Sequence, residues 1–566
     1  MQMFRRLCRD IISEMKKKKI KDQRRLNQLK LQVLKRKEYQ DISTIPTNVD
    51  LAAAATASER ERFSQLLTIK PTRTMSGVAV VAIMTKPIRC PHGRCVMCPG
   101  GPGSAFGNVP QSYTGKEPAT RRAIRNRYDP YLQVFNRLEQ YVAMNKNPQK
   151  VELIIMGGTF PSFSRNYQEN FVKHALKAMN DFSEQFFSRR RLSFRKFCDF
   201  FELPGAIDDP ERTSRIHSKA LSLKRKGSQK LENIQKKNEK AVIRCVGMTI
   251  ETRADHAKLK HANRMLKLGC TRVELGVQSV YDDVLKRIKR GYRAADNEEA
   301  MAVLKDLGFK VNVHYMPGLP GVDYEKDLTG MISLFEDERY RPDMLKLYPC
   351  MVVRGTKLYD LWKKGKYKPL TTKKAAKLIA EFKRYVPPYC RIMRVQRDIP
   401  SKMISAGVDK TNLRQYIKEE MKKDDIRCQC IRCREIGNFR GKIGKPEIII
   451  LYYNASFGRE FYIEAQYKGY VMGFCRLRFP AQSLRKEITE DAVLVRELHV
   501  YGEAARLGRK GNVQHSGLGK KLLKAAEEIA RTYNRDKLVV ISGIGAREYY
   551  RKLGYRKEGV YMVRKL

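Results

Sequence analysis

Short apolar runs alternate with amphipathic stretches from residue 77 to about residue 349. Runs of four to eight apolar residues between helical segments are typical of buried parallel strands, because such strands are covered on both faces. The pattern therefore predicts an α/β fold in which successive strand–helix units form a barrel or a partial barrel. The predicted strands are residues 78–84, 151–156, 245–251, 272–277, 311–316 and 343–349.

A second, smaller α/β domain of about 125 residues is predicted after residue 441. Its first apolar runs predict strands of an antiparallel sheet, and a long helical pattern follows them. A short helix and a final strand complete the expected domain. The predicted strands are residues 447–453, 470–478, 492–500 and 537–542, and the long helix runs from about 516 to 534.

Two segments outside these patterns are strongly basic. Residues 1–38 contain 14 Lys and Arg against 4 Asp and Glu, and Leu26, Leu29, Val33 and Leu34 recur there at helical spacing. We expect a basic amphipathic helix that binds a polyanion, with a solvated tail as the alternative.

The other basic segment, residues 188–240, contains 15 Lys and Arg against 7 Asp and Glu and has few aliphatic residues. It predicts an insertion or excursion that lies on the surface, and the sequence leaves open whether this segment is ordered or flexible. Residues 51–57 predict a weak helix or a linker.

The composition narrows the classes of partner. The 566 residues include 114 Lys and Arg but 60 Asp and Glu, a formal net charge of +54. A compact protein with this charge repels itself unless a polyanion neutralises it. Nucleic acid is the expected polyanion, because its phosphates bind Lys and Arg with release of counterions. An acidic membrane surface and a basic surface that only confers solubility are the alternatives.

The same composition excludes other classes. With 42% hydrophobic residues, the chain can build a sizeable core, so it is neither disordered throughout nor collagen-like. It has no run of about 18 apolar residues for a transmembrane helix and no secretory signal at its N-terminus. We expect a cytoplasmic protein whose 13 cysteines serve metal or redox chemistry and not disulfides.

A cysteine triplet follows the first predicted strand. Cys90, Cys95 and Cys98 lie within nine residues on a loop rich in Gly and Pro. Three thiolates can hold a 4Fe-4S cluster whose fourth iron stays open to a small molecule. A structural zinc knuckle that uses His92 as its fourth ligand is the alternative, and the spacing alone does not separate the two.

Glycines and polar residues lie at the ends of the next strands, where barrel active sites are found. The glycine pair would let a backbone approach an amino-acid ligand closely, and the polar groups could bind it. Together with the cysteine loop, these residues resemble the S-adenosylmethionine site of radical S-adenosylmethionine enzymes, although the first cysteine gap of four residues is one longer than usual there. The candidate residues are Gly157, Gly158, Glu251, Arg253, Glu274 and Gln278.

The C-terminal domain contains a second candidate site. A strand ending at 497–500 is followed by a turn with Gly517 and Gly519, whose backbone amides could bind a pyrophosphate at the start of the helix. Tyr549 and Tyr550 come later, where a phenol could face a thioester; core packing is their alternative role. This order resembles the GNAT acetyltransferases, which bind coenzyme A at this turn.

The combination of both halves resembles the radical S-adenosylmethionine–GNAT family of the Elongator catalytic subunit (Elongator complex protein three, tRNA uridine(34) acetyltransferase). The resemblance is strong over about residues 77–180 and 241–566. It is carried by the strings at 111–131, 270–279, 345–349, 394–400 and 495–502 and by the YYRKLGY end.

The resemblance implies a tRNA-modifying enzyme that makes 5-carboxymethyluridine at the wobble position of the anticodon. In this family, S-adenosylmethionine on the cluster gives a 5′-deoxyadenosyl radical, which takes hydrogen from the methyl group of acetyl-coenzyme A. The carbon radical adds to C5 of uridine, and hydrolysis releases coenzyme A. The barrel would supply the radical and the GNAT domain the acetyl donor.

Residue roles follow from the same resemblance. Cys90, Cys95 and Cys98 would carry the cluster, and the catalytic candidates are Glu497, His499, Tyr549 and Tyr550. The expected acetyl-coenzyme A contacts are Lys150, Glu497, Leu498, His499, Val500, Gly517, Leu518, Gly519 and Tyr549.

A third cysteine group, Cys428, Cys430 and Cys433, lies between the two predicted domains. Its spacing can supply three ligands of a tetrahedral structural zinc site. Cys390 and Cys350 are the candidates for the fourth ligand. Unligated thiols and a second iron–sulfur cluster are the alternatives.

The predicted organisation has four parts. A basic N-terminal tRNA-binding extension (1–70) precedes a radical S-adenosylmethionine domain (71–395) that carries the insertion. A zinc-binding linker (396–440) joins it to a GNAT acetyltransferase domain (441–566).

The expected partners are the tRNA anticodon stem-loop, acetyl-coenzyme A and either Elongator-like subunits or a second copy, with no membrane. Two competing functions are a protein lysine acetyltransferase with the barrel as a scaffold and a basic RNA-binding adaptor with decayed sites. The complete cysteine triplet argues against a scaffold, and a net charge of +54 would repel basic protein substrates.

Overall fold

The structure is a computed structural model that describes residues 2–68, 77–146, 148–205, 209–227, 230–501 and 517–566. The residues 514–516, which begin the predicted pyrophosphate turn, lie outside the described ranges. The chain forms two compact units. The first comprises residues 1–81, 130–151 and 172–245, and the second comprises residues 82–129, 152–171 and 246–566.

Helices and strands are numbered in chain order. The helices are α1 (Gln2–Lys17), α2 (Gln23–Leu34), α3 (Asn48–Ala54), α4 (Ala57–Arg62), α5 (Ser64–Leu67), α6 (Pro118–Arg125), α7 (Pro130–Ala143), α8 (Arg165–Phe186), α9 (Phe194–Phe200), α10 (Pro210–Arg225), α11 (Leu231–Lys240), α12 (Leu259–Leu268), α13 (Asp282–Arg287), α14 (Ala294–Asp306), α15 (Tyr324–Glu336), α16 (Lys357–Lys363), α17 (Thr372–Phe382), α18 (Leu413–Lys423), α19 (Leu518–Thr532) and α20 (Arg547–Arg551). The strands are β1 (Val78–Met84), β2 (Gly101–Ser104), β3 (Gly107–Val109), β4 (Lys150–Met156), β5 (Phe187–Ser188), β6 (Arg191–Leu192), β7 (Arg244–Thr252), β8 (Arg272–Gln278), β9 (Lys310–Tyr315), β10 (Met344–Leu347), β11 (Val352–Val353), β12 (Arg391–Arg394), β13 (Ile404–Ala406), β14 (Glu447–Ala455), β15 (Gly458–Tyr467), β16 (Tyr470–Phe479), β17 (Ala492–Val500), β18 (Lys537–Val540), β19 (Arg556–Glu558) and β20 (Tyr561–Lys565).

The basic N-terminal segment is a small helical bundle with its own core. Apolar side chains of α1 and α2, among them Ile11, Leu26 and Leu29, pack on α3 and α5 and are almost fully buried. Capping boxes at Thr47 and Thr56 start α3 and α4, because each threonine and the acidic residue three positions on satisfy backbone amides reciprocally. The expectation of a solvated tail is therefore wrong, and the expectation of a lone helix is corrected to a bundle.

The basic insertion is also folded over the residues that the structure describes there, 188–205, 209–227 and 230–240. Its helices α9, α10 and α11 lie in the first unit, and Phe197 and Phe201 are fully buried. Their rings lie 5.7 and 5.5 Å from the ring of Phe186. The count of aliphatic residues could not decide whether this segment is ordered, because phenylalanines supply its core and bury large apolar areas.

The predicted barrel strands are present and belong to one seven-stranded sheet with the order β1-β4-β7-β8-β9-β10-β12. The pairings of β7 with β8, β8 with β9, β9 with β10 and β10 with β12 are parallel. The sequence prediction missed the last strand, Arg391–Arg394. This parallel half-barrel brings the carboxyl ends of the strands to one edge, where the candidate residues after each strand lie.

The C-terminal part of the second unit contains another seven-stranded sheet, with the order β14-β15-β16-β17-β18-β20-β19. Its predicted strands are present, and β15 is an additional one. Strands β17 and β18 are parallel, whereas the other neighbours are antiparallel. These strand pairings position the second candidate site. No helix in the described part of the chain is both long and apolar enough to cross a membrane.

Candidate functional site

The cysteine loop that follows β1 is anchored by its apolar residues. Val96 and Met97 are buried. The backbone amide of Val96 donates to the carbonyl oxygen of Ile288 at 3.1 Å, and its carbonyl oxygen accepts from the amide of Leu358 at 3.0 Å. Cys95 and Cys98 are themselves 7% and 8% exposed. The fold therefore holds the three predicted cluster ligands at the end of the first barrel strand.

Each of these thiols has polar neighbours. Arg290 Nη1 lies 3.8 Å from the sulfur of Cys95, and His92 Nε2 lies 3.2 Å from it. The backbone amide of Ser112 donates to the sulfur of Cys98 at 3.2 Å. These donors favour sulfur that carries negative charge, which is the form that ligates a metal.

Burial works in the opposite direction. Burial raises the pKa of Cys90, and burial together with the neighbouring Cys95 raises the pKa of Cys98. Three ionised thiols at this place therefore need a cationic centre to balance them.

The separation of the thiols bears on which centre that is. In the described part of the chain, Cys428, Cys430 and Cys433 form a group whose ligand atoms lie within 4.8 Å of one another, as a single ion needs, whereas the Cys90 loop forms no such group. Wider spacing suits a cluster in which each thiolate binds a different iron. Burial, followed by Arg253 and Arg290, lowers the pKa of His92 to about 4, so this histidine is neutral.

The two glycines after β4 lie against the cysteine loop. Gly157 has a φ of +116°, and a Cβ there would come within 2.4 Å of Thr85 Oγ1. Gly158 has a φ of +92°, and its missing side chain leaves space beside Cys90, whose sulfur would be 3.9 Å from a Cβ. Only glycine permits this backbone so close to the candidate cluster ligand.

The loop after β3 also reaches the site, which the sequence reasoning missed. Gln111 accepts from the backbone amide of Cys90, Ser112 contacts Cys98, and Tyr113 Oη donates to Glu251 Oε2 at 3.1 Å. The available signal was the string QSYTG beside the glycine-rich loop, which supported the resemblance but was not assigned a role.

Four adjacent strands place polar side chains in the interior of the half-barrel. Lys346 of β10 forms a buried ion pair with Glu274 of β8, and His314 of β9 lies 3.0 Å from the same carboxylate. Although burial opposes ionisation, Lys346 holds the pKa of Glu274 well below its usual range. Burial, followed by Glu274, raises the pKa of Glu251 to about 7. Glu274 is thus occupied by internal partners, whereas Glu251 faces Tyr113.

The remaining predicted S-adenosylmethionine contacts lie at the same edge. Arg253 is 3% exposed and binds Asp255 at 2.7 Å, and its guanidinium lies over the ring of Tyr292. Arg253 Nη1 and the side-chain oxygen of Gln278 are buried and have no hydrogen-bond partner in the described structure. Buried polar atoms of this kind indicate a ligand that completes them.

Four of the predicted acetyl-coenzyme A residues, Leu498, Val500, Gly519 and Tyr549, lie together in the C-terminal part of the second unit. Strands β17 and β18 pair from Ala492 to Val495, and β17 continues to Val500. A Cβ added at Gly519 would lie 3.0 Å from Tyr549 Oη, 3.9 Å from Val500 and 4.0 Å from Leu498. The bare backbone at the start of α19 therefore lies open beside these three side chains.

The start of α19 has the geometry of an anion-binding turn. Gly517 is its N-terminal cap with a φ of +83°, and Leu518 is the first helical residue and is buried. The first amides of a helix lack partners within the helix and attract negative charge.

Glu497 and His499 lie near one another on β17. Arg476 Nε donates to Glu497 Oε2 at 3.0 Å. Burial opposes ionisation of Glu497, but Lys310, Arg476 and His499 lower its pKa. Burial lowers the pKa of His499 despite Glu497. The pair is thus a carboxylate beside a neutral imidazole.

The two tyrosines have different surroundings. Tyr549 is 39% exposed and faces Gly519, whereas Tyr550 is 7% exposed and packs edge-on against Tyr555 at 5.7 Å. Lys150 begins β4 in the first unit, and burial, with Arg244, lowers its pKa. Its contact with an acetyl donor stays a prediction.

The third cysteine group is compact, as a single metal ion requires. Lys383 Nζ lies 3.6 Å from the sulfur of Cys433, and Ile431 N donates to the backbone oxygen of Cys390 at 2.9 Å. Cys350, in contrast, packs in an apolar cluster with Leu358 and Tyr367. Of the two candidates for a fourth ligand, Cys390 is the one beside the turn.

Four family models match the chain. They are the ELP3 N-terminal domain at residues 4–75, the Radical SAM superfamily at 209–329, the Radical_SAM C-terminal domain at 342–423 and the Acetyltransferase (GNAT) family at 438–555. The order of these matches agrees with the half-barrel followed by the GNAT sheet.

Full-length relatives have the same arrangement. The tRNA uridine(34) acetyltransferase of Methanocaldococcus infernus is 42% identical over 100% of this chain and 99% of its own length. Human Elongator complex protein 3 is 38% identical over 93% of this chain and 91% of its own. The solved structure of M. infernus Elp3 with an N-terminal deletion has a TM-score of 0.70 at 38% identity and covers 87% of this chain and 100% of that one. With this identity along nearly its whole length, the chain belongs to the family of the archaeal tRNA uridine(34) acetyltransferases and Elongator complex protein 3.

Proposed function

We propose that this protein is a tRNA-modifying enzyme that forms 5-carboxymethyluridine at the wobble uridine with S-adenosylmethionine radical chemistry and acetyl-coenzyme A. The observation that carries the proposal is the presence, in one compact unit, of a three-cysteine loop on a parallel half-barrel and a GNAT site with an open glycine turn. The names of the full-length relatives support uridine 34 of tRNA as the substrate position.

The half-barrel residues divide into cluster ligands and residues that orient a ligand. Cys90, Cys95 and Cys98 would hold a 4Fe-4S cluster, which with S-adenosylmethionine supplies a hydrogen-abstracting radical when bound. Arg290 would donate to the sulfur of Cys95, and Gly158 leaves the space that an amino-acid ligand needs. Arg253 Nη1 and the Gln278 oxygen, both lacking partners, would bind its polar groups.

The GNAT residues would hold the acetyl donor. The first amides of α19 would bind the pyrophosphate, and Gly519 lets the backbone approach it. Leu498 and Val500 line the adjacent strand, and Tyr549 Oη can donate a hydrogen bond toward the thioester. Glu497, fixed by Arg476, would orient His499 through its nearby negative charge.

The charge supports a polyanionic substrate. A formal net charge of +54 attracts a phosphate backbone whatever its base sequence, and it repels basic protein tails. We propose the bundle of residues 1–70 as an RNA-binding extension, residues 71–395 as the radical domain, residues 396–440 as a linker that holds zinc through Cys428, Cys430 and Cys433, and residues 441–566 as the acetyltransferase domain.

The test is nucleoside mass spectrometry after anaerobic incubation of the reconstituted enzyme with tRNA, S-adenosylmethionine, a reductant and acetyl-coenzyme A. We expect carboxymethyl uridine that carries carbon from labelled acetyl-coenzyme A. Cys95→Ser should abolish the product, whereas Cys198→Ser, in the other unit, should retain it. Acetylation of lysines in a histone peptide without any change in uridine would instead show a protein acetyltransferase and overturn the proposal.

A further inference from the structure

A basic cavity lies within the first unit, in the part built by the insertion. Its volume is about 430 Å³. It lies between α8, the last turn of α10 and α11, with Leu221 and Ile234 as its apolar lining. The side chains that give it polarity are Lys173, His174, Lys177, Lys224 and Arg225.

The cations of this cavity differ in their partners, and Lys177 and Lys224 both interact with other groups of the protein. Lys177 is paired with Asp181 at 2.6 Å, and the same carboxylate accepts from Tyr131. Within the described part of the chain, Lys173 and Arg225 have no carboxylate partner. Lys173 is only partly exposed, whereas Arg225 is exposed.

Helix geometry brings these charges together. Lys173 and Lys177 are one turn apart on α8 and therefore share a face. Lys224 and Arg225 lie in the last turn of α10 and line the same cavity. Cations gathered in a concave, partly apolar cavity raise the local positive potential and repel one another. An anion that enters the cavity removes this repulsion.

The chemistry of the donors selects the kind of anion. A guanidinium offers paired N–H groups that match two oxygens of a phosphate, and a lysine adds a compact charge. The lysines and the arginine can each donate a charge-assisted hydrogen bond to a phosphate, so such a site needs no acidic or aromatic group. We propose that this cavity is a phosphate-binding site, separate from the cluster loop and the GNAT turn, that takes a phosphodiester of bound RNA or the phosphates of a free nucleotide.

The RNA source rests on the proposed function, whereas the phosphate site does not. The key variant is Lys173→Ala with Arg225→Ala, which removes the two unpaired charges and leaves Lys177 with Asp181. The matched control is Arg195→Ala with Lys236→Ala, which removes two exposed charges from the same insertion. Lys236 follows Ile234 by two residues on α11 and therefore points away from the cavity. Lys173→Arg with Arg225→Lys keeps both charges.

The first measurement is calorimetric titration with inorganic pyrophosphate in the full chain, without tRNA. We expect the alanine pair at the cavity to weaken binding at least tenfold, while the control pair and the charge-retaining pair bind as the wild type does. Equal binding by wild type and by the cavity variant would overturn the site. An unchanged thermal unfolding midpoint ensures that the loss is not one of folding.

The second measurement separates the two sources. If RNA phosphates enter the cavity, the slope of log Kd for tRNA against log salt should fall by about 1 for each lost contact, so by about 2 in the cavity variant. The control pair should change it much less. A reduced pyrophosphate affinity with an unchanged tRNA slope would assign the site to a free nucleotide. An equal loss in the cavity and control variants would show only a diffuse basic surface and contradict the proposal. Absence of uridine modification would refute the proposed function and leave the pyrophosphate result intact.

Discussion

Asp343 and Arg496 form a fully buried, two-point ion pair that joins the half-barrel to the GNAT sheet. Arg496 Nη2 lies 2.5 Å from Asp343 Oδ1, and Nη1 lies 2.8 Å from Oδ2. Asp343 immediately precedes β10 and also accepts from the backbone amide of Val311 at 2.8 Å. Lys346, three residues after Asp343, pairs with Glu274 in the half-barrel site. Glu497, the residue after Arg496, belongs to the predicted acetyl donor site. The two candidate sites are therefore connected through one short strand.

The first prediction concerns this pair. Arg496→Met should lower the free energy of unfolding of the second unit by about 3–5 kcal/mol, because it removes the nearest cation of the buried Asp343, leaving Arg476 at 3.7 Å, and removes a partner of the buried Glu460. Urea unfolding followed by the fluorescence of Trp362, the single tryptophan, measures the loss. Arg535→Met, at a partly exposed arginine in the same unit, should cost much less. Adding Asp343→Asn to Arg496→Met should recover part of the stability; a further additive loss would contradict the pairing.

The second prediction is a pH dependence in the N-terminal bundle. Burial alone would raise the pKa of Glu59, but hydrogen bonds from Arg9, Lys16 and Thr56 lower it to about 2, below the 4.5 of a free glutamate. A lowered folded pKa gives stability that is present above pH 4.5 and is lost as the pH falls toward 2.

Hydrogen exchange of peptides from α1, corrected for intrinsic rates, measures this effect. The protection of the α1 amides should fall as the pH is lowered from 4.5. The lower limit of the measurement is the pH at which the second unit still stays folded, so that global unfolding does not contribute. Glu59→Gln should flatten this dependence, whereas Glu61→Gln, on the exposed side of α4, should keep it. The same slope in wild type and Glu59→Gln would assign it to other groups.

The third prediction separates iron from zinc. Anaerobic reconstitution should load about four irons per chain on the loop of Cys90, Cys95 and Cys98. A triple Cys→Ser variant there should lose the iron and keep the zinc, as measured by metal analysis of the same sample. Iron retained by the triple variant would refute the loop as the cluster site.

The fourth prediction concerns the linker metal. Cys430→Ser should remove zinc and leave the iron content and S-adenosylmethionine cleavage in place, because a structural zinc holds the chain without reacting. If Cys390 is the fourth ligand, Cys390→Ser should weaken zinc binding and Cys350→Ser should not. Wild-type zinc content in Cys430→Ser would leave these thiols as ordinary buried cysteines.

The fifth prediction concerns the GNAT turn. Gly519→Val should abolish binding of acetyl-coenzyme A, since a side chain there enters the space beside Tyr549, Val500 and Leu498. Gly469→Ala, at a turn with open space around it, should bind normally. Iron content should be unchanged in both variants, and equilibrium dialysis of labelled acetyl-coenzyme A measures the binding. Normal binding by Gly519→Val would move the donor site elsewhere.

Local pattern was enough to predict most strands. Residues 78–84 match β1 end to end, because a continuous apolar run bounded by polar turns specifies a buried strand. Residues 492–500 match β17, whose first four residues form the apolar run AVLV. Strands β12 and β15 were missed. Their sequences, RIMR and GREFYIEAQY, mix charged and apolar residues, and each forms a strand by pairing with the adjacent strands of its sheet. Chain order also predicted that Gly158 would lie near Cys90, because parallel strands bring their ends to one edge.

The sequence by itself determined the charge, the two cofactor motifs and the order of the domains, all of which are properties of neighbouring residues along the chain. The tertiary structure alone decided the partners of the buried acidic groups: Glu274 pairs with Lys346, seventy-two residues away, and Glu251 accepts from Tyr113 and lies 4.0 Å from the same lysine. It also decided that phenylalanines fold the basic insertion and that Asp343 meets Arg496. Such contacts depend on which distant residues the fold brings within a few ångströms, and short-range periodicity carries no information about that distance.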